Sequence, residues 1–100
     1  MIQHDVMNAI ETGMDVYDST ENNMGSVLFL YMGGTQNKVD EDNLPSNATK
    51  DIRETLLREG YIRIGMAIFS GGSYAKASDI DRVEDGNVYL KIKQNEVVRD

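Results

Sequence analysis

The chain has 100 residues, one domain's worth, of which 40% are hydrophobic and 27% charged. It contains no cysteine, which excludes disulfides and thiolate metal sites and suits a reducing cytosol. Its formal net charge of −7 repels phosphate backbones and anionic lipid, so neither nucleic acid nor a membrane surface is an expected partner.

Residues 1–12 read as a lead-in segment. No basic stretch followed by an apolar run is present in it, so no secretory signal is readable. Asp5 to Ile10 predicts a helical turn, with Val6 and Ile10 one turn apart, and Gly13 breaks it. Met14 to Tyr17 alternates as a strand. Asp18 to Asn23 is a turn, because Asn and Asp tolerate left-handed backbone and bond their own main chain. Gly25 fits a bulge or a close backbone approach at the start of the next strand.

Ser26 to Met32 is the strongest strand signal. Val27, Phe29 and Tyr31 fall on one face and Leu28, Leu30 and Met32 on the other. Both faces are apolar, so one enters a core and the other needs a helix or a partner chain over it. The apolar run Val27 to Met32 is six residues, far short of a membrane span.

Gly33 to Leu44 has no apolar period and reads as a loop with an acidic cluster, Asp40-Glu41-Asp42. A helix is predicted over Asn47 to Arg58, capped by Ser46 or Asn47, with Asp51 early and Arg58 late in agreement with the helix dipole. Ile52, Leu56 and Leu57 give it a narrow apolar stripe, and Gly60 is a natural stop. Ile62, Ile64, Met66 and Ile68 alternate as a half-buried strand. Ser70 to Ser73 is a turn and Tyr74 to Ala77 a short strand. Ile80 to Val83 fits a kinked strand or a single helical turn. Asp85-Gly86 marks a tight hairpin before the alternating Val88, Leu90 and Ile92. The domain spans 13–95 with a loop-and-helix insert at 33–59, and 96–100 is a frayed tail. Val16, Val27, Phe29, Ile62, Ile64, Val83, Val88 and Leu90 are the expected inward residues.

Chemistry-bearing groupings are scarce. His4 stands alone near a terminus, where a metal site needs three or four convergent ligands. Asp40-Glu41-Asp42 lacks the ligand spacing of a calcium loop, as does the set Asp79, Asp81, Glu84 and Asp85. Gly33-Gly34 and Gly71-Gly72 are not followed by the Lys-Ser or Lys-Thr of a phosphate loop. Asn47-Ala48-Thr49 matches a glycosylation sequon but reads as a helix start. Tyr17, Tyr31, Tyr61, Tyr74 and Tyr89 have mostly acidic or neutral neighbours, which favours core or interface packing over base stacking. No catalytic, cofactor-binding or metal-ligating residue is assigned, and no cofactor is expected.

Two matched segments resemble the PRC-barrel family. The front segment is Gly13-Met14-Asp15-Val16-Tyr17-Asp18, then Met24-Gly25-Ser26-Val27. The back segment is Gly60-Tyr61-Ile62-Arg63-Ile64, Tyr74-Ala75-Lys76, Ile80-Asp81-Arg82-Val83 and Val88-Tyr89-Leu90. The proline that often closes the family's back Tyr strand is Lys76 here, and the insert with its helix exceeds a minimal barrel. The resemblance implies a mainly β fold: a small six-stranded PRC-like β-barrel with one short α-helix packed across it. It carries no catalytic motif.

The combined expectation is a cytoplasmic, non-enzymatic adaptor or assembly module that binds another protein or forms a homodimer. The interface expected is Leu28, Leu30, Tyr31, Met32, Ile52, Leu56 and Leu57, the apolar surface in excess of a barrel interior. Neither nucleic-acid binding nor membrane insertion is expected. Two alternatives stand beside this reading. One is a ribosome- or RNA-maturation-linked binding protein, since a ribosomal-RNA maturation factor carries a domain of this family. The other is a small-ligand-binding barrel.

Overall fold

The computed structural model of the chain describes residues 4–33, 44–45, 48–65 and 72–99. The elements in order are α1 (His4–Met7), β1 (Asp15–Tyr17), β2 (Asn23–Tyr31), α2 (Lys50–Glu59), β3 (Tyr61–Gly65), β4 (Ser73–Lys76), β5 (Ile80–Glu84), β6 (Asn87–Leu90) and β7 (Val98–Arg99). Short 3-10 turns at Ala77–Asp79 and Gln94–Glu96 join β4 to β5 and precede β7.

The fold is mainly β. Among the described residues, seven strands form one sheet in the order β5-β6-β1-β2-β3-β4-β7. Every neighbouring pair is antiparallel except β1 with β6, which run parallel. The expected six strands are therefore seven, and the sheet is not closed into a barrel, because among the described residues its edges β5 and β7 share no ladder. The chain leaves β4 at Lys76, makes a single 3-10 turn, and enters β5 at Ile80. The connection draws both ends of the sheet around one core without pairing them. Met7 and Ile10 fill that core, 1% and 3% exposed, while α1 packs on β5 and the turn. The lead-in is thus part of the domain's core.

Local signals explain most boundaries. The β5–β6 hairpin turns on Asp85 and Gly86, both at positive φ (55° and 80°), the backbone that a tight two-residue turn demands. Helix α2 starts later than expected, at Lys50, with Thr49 as its cap; Thr49 Oγ1 accepts from the Ile52 N–H at 3.3 Å. The expected caps Ser46 and Asn47 lie outside the described residues, as do Met66 and Ile68, the acidic loop and most of Gly33 to Leu44. Gly60 ends the helix at φ 91°, and its N–H donates to the Leu56 carbonyl at 2.9 Å.

The two faces of the sheet bury two separate clusters. The inner one holds Val16, Val27, Ile62, Ile64, Ala75, Ile80, Val88 and Leu90, with Val83 and Leu30 packed against it. The outer one holds Leu44, Leu56, Tyr61 and Tyr74, with Phe29, Tyr31, Leu57 and Val98 against it. Phe29 was expected inward with Val27, and it is on the opposite face. Opposite β3, Val27 pairs with Ile64 and Phe29 with Arg63, so Leu28 is an extra residue. Such a bulge reverses the facing of everything after it. Leu30, opposite Ile62, then points inward, while Phe29 and Tyr31 join the helix side.

The tail is not frayed through Arg99. Val97 is 8% exposed, and Val98 and Arg99 pair with Tyr74 and Ser73. A second irregularity lies opposite β1, where Val16 pairs with Gly25 and Tyr17 with Asn23, leaving Met24 over. Gly25 sits at φ 113°, and a Cβ there would stand 2.5 Å from the Gly65 carbonyl oxygen. The bulge and the close backbone approach expected of Gly25 are both present.

Candidate functional site

The outer cluster ends in a cleft. Where α2 lies along β4, a space of about 290 Å³ opens, lined by Ile52, Thr55, Leu56, Tyr74 and Val98. Lys76 and Asp79 stand at it as an ion pair of 3.1 Å, and Asp51 lines it as well. Tyr74 on its wall belongs to a cluster of four rings. The Tyr61 ring lies within 6.0–6.1 Å of the rings of Phe29, Tyr31 and Tyr74, tilted against each. Burial pushes the Tyr61 hydroxyl pKa well above its ordinary value, with Tyr74 and Tyr31 adding to the rise. Arg63 Nε donates to the Tyr74 hydroxyl at 3.3 Å.

The residues expected at an interface divide three ways. Tyr31, Leu56 and Leu57 come together in the outer cluster, and Leu56 is only 2% exposed, with no surface left to offer. Leu30 is on the other face, against the inner core. Leu28, Met32 and Ile52 remain the large apolar side chains exposed among the described residues, at 36%, 39% and 37%. Of these, Ile52 sits on the cleft.

A buried carboxylate lies at the other end of the sheet. Asp18 is 2% exposed. Its Oδ1 accepts from the Thr20 N–H (2.9 Å), the Thr20 hydroxyl (2.7 Å) and the Asn22 N–H (3.0 Å). Its Oδ2 accepts from the Gln94 N–H at 2.9 Å. Burial by itself raises the pKa of this group, but the Thr20 hydroxyl and the N–H groups of Asn22, Gln94 and Thr20 outweigh it and hold the carboxyl at about 2. The carboxylate ties the β1–β2 turn to the chain's last turn. That is anchoring chemistry, since both carboxylate oxygens are taken up by donors of the chain itself.

Beside it runs a row of side chains across three strands. Tyr17 on β1 is opposite Tyr89 on β6, which is opposite Arg82 on β5. The tyrosine rings stack at 5.5 Å and 20°, and the Arg82 guanidinium lies 4.2 Å from the Tyr89 centroid. Arg82 Nη1 donates to Asp81 at 2.7 Å and Nε to Glu84 at 3.0 Å. Those hydrogen bonds raise the arginine's pKa. The sequence marks Asp18 as the start of a self-bonded turn and Tyr17 and Tyr89 as packing rings, but not the bond from Gln94 or the row. Asp18 opening a Ser-Thr-Glu-Asn run was a signal for a side-chain-bonded turn; the row needed the parallel pairing of β1 with β6.

The side chain of His4 and the Asp40-Glu41-Asp42 cluster lie outside what is described. Among the described residues no group of three or more His, Cys, Asp or Glu could hold a metal ion, and no helix is long and apolar enough to cross a membrane. No family model, curated protein or solved structure matches the chain.

Proposed function

We propose that the chain is a non-enzymatic protein-binding module, a PRC-barrel-like adaptor acting in the cytoplasm. One observation carries the reading: α2 covers the outer face incompletely and leaves Ile52 exposed beside an apolar cleft. A space of about 290 Å³ takes one or two large side chains of a partner. It lies at the bottom of the range of about 300–1,000 Å³ that small-molecule sites occupy, which favours a protein anchor over a small ligand. The family likeness rests on the sequence segments alone; the open seven-stranded sheet supports only its mainly β part. A second copy of the chain is the simplest partner, because closed two-fold dimers are the commonest assembly.

The RNA-linked reading has less support. Tyr61 and Tyr74 are 0% and 1% exposed, so neither ring is free to stack on a base. Tyr17 and Tyr89 are bordered by exposed carboxylates. Sedimentation tests the adaptor reading together with cross-linking from Ile52 in the native host, with Glu54 on the same helix as control. The expected result is a wild-type dimer that Ile52→Glu renders monomeric, or one heterologous protein cross-linked from Ile52 and not from Glu54. A wild type that sediments as a monomer at high micromolar concentration and gives identical cross-links from both positions overturns it.

A further inference from the structure

The outer face of β5, β6 and β1 bears no relation to the apolar cleft and carries an inference of its own. It already holds one guanidinium. Arg82 lies on the Tyr89 ring and donates to two carboxylates, Asp81 and Glu84, one to either side of it in the chain. Ring and carboxylate together are what a planar cation needs: the π face attracts it and the oxygens take its N–H groups.

The same pair of features recurs one strand further on. Tyr17 uses one ring face to stack on Tyr89. Its neighbour on the opposite side of the row is Asn23 of β2, a short polar residue that is itself exposed and too small to cover a tyrosine ring. Asp15, two residues before Tyr17 on β1, shares its face of the sheet and is exposed. Asp15 stands to Tyr17 as Asn87 stands to Tyr89, two residues before the ring on its own strand, and it puts a carboxylate where Asn87 has an amide: Glu84 is opposite Asn87, and Asn87 is opposite Asp15. In this half of the sheet Asp15, Asp81, Glu84 and Asp85 are all exposed, against Arg82, which two of them neutralise, and the exposed Lys91 beside Tyr89. The whole chain carries −7.

We infer that this face docks a basic segment of a partner protein, one arginine of which stacks on the face of the Tyr17 ring turned away from Tyr89 and pairs with Asp15, extending the Arg82–Tyr89–Tyr17 row by a fourth member. Arginine is favoured over lysine because a planar guanidinium stacks flat on a ring and forks onto a carboxylate, whereas an ammonium is a hydrated point charge. The excess of exposed carboxylate steers the basic segment to the surface, and the ring selects the side chain once it is there.

The test titrates a short Arg-Gly repeat peptide into the protein at physiological salt, followed by amide chemical shifts. A Lys-Gly peptide, a Glu-Gly peptide and a single-stranded RNA oligomer serve as comparisons. The expected result is shifts concentrated at Asp15, Tyr17 and Tyr89, with the Arg peptide binding more tightly than the Lys peptide. Tyr17→Leu weakens binding at least tenfold, Asp15→Asn weakens it severalfold, and Tyr17→Phe, which keeps the ring, retains it. Glu54→Gln, which removes an equal charge on α2, leaves it unchanged. If Tyr17→Leu unfolds the chain, the Asp15→Asn and Tyr17→Phe comparison decides alone. The proposal is overturned if Asp15→Asn and Glu54→Gln weaken binding equally, if the shifts spread over acidic residues of every element, or if the RNA rather than the peptide occupies the tyrosines.

Discussion

Replacing Asp18 by asparagine probes how the two halves of the sequence are held together. In Asp18→Asn the retained Oδ1 still accepts from Thr20 and Asn22, but the new Nδ2 faces the Gln94 N–H, donor against donor. A hydrogen bond to a charged acceptor is worth about 1.5–3 kcal/mol, and the facing donor is left unpaired in a site 2% exposed, so the expected loss is about 2–3 kcal/mol. For a domain of this size that lowers Tm by about 10–20 °C. The pH dependence checks the same argument separately. The folded carboxyl titrates at about 2 against an ordinary 3.8, a difference worth about 2 kcal/mol. Because the folded pKa is depressed, that contribution is fully present above pH 3.8, shrinks below it and is gone once the pH falls below about 2. The asparagine variant does not titrate there. Urea melts of both proteins between pH 2 and 7 should therefore show a gap that is widest near neutrality and narrows by about 2 kcal/mol in acid. A variant within about 0.5 kcal/mol of wild type at pH 7, or a gap of constant size across the range, refutes the anchoring role of Asp18.

Three further outcomes follow from the packing. Leu28→Ser should change stability by no more than about 0.5 kcal/mol in urea melts, while Leu30→Ser costs at least about 2 kcal/mol; equal costs would mean that β2 carries no bulge at Leu28. Gly25→Ala should cost at least about 2 kcal/mol, because the new Cβ meets the Gly65 carbonyl at φ 113°, and a calorimetric Tm equal to wild type would show that the two strands separate freely. Gel shifts with ribosomal RNA at physiological salt should detect nothing tighter than nonspecific binding of about 10⁻⁴ M, and salt-sensitive micromolar binding would restore the RNA-linked reading.

Much of this chain is legible one segment at a time. The strands around Val16, Ile62, Tyr74 and Val88, the Asp85-Gly86 hairpin and the helix ending at Gly60 rest on interactions within a few residues. Alternation, positive φ and capping are local properties that the residues themselves express. The inward residues Val16, Val27, Ile62, Ile64, Val88 and Leu90 were readable for the same reason. Phe29 was not. Whether it points in or out depends on Leu28 being passed over in the ladder with β3, and cross-strand register is a property of two strands at once. The openness of the sheet, the burial of Met7 and Ile10 beneath it, the Asp18–Gln94 bond and the Arg82–Tyr89–Tyr17 row are of the same kind. Each joins residues far apart in the chain through the parallel meeting of β1 and β6 or through the turn that carries β4 into β5. Composition and local pattern determined a small, acidic, mainly β domain without thiol chemistry. Which face each strand presents, and hence which side chains are left for a partner, was decided only by how the strands meet.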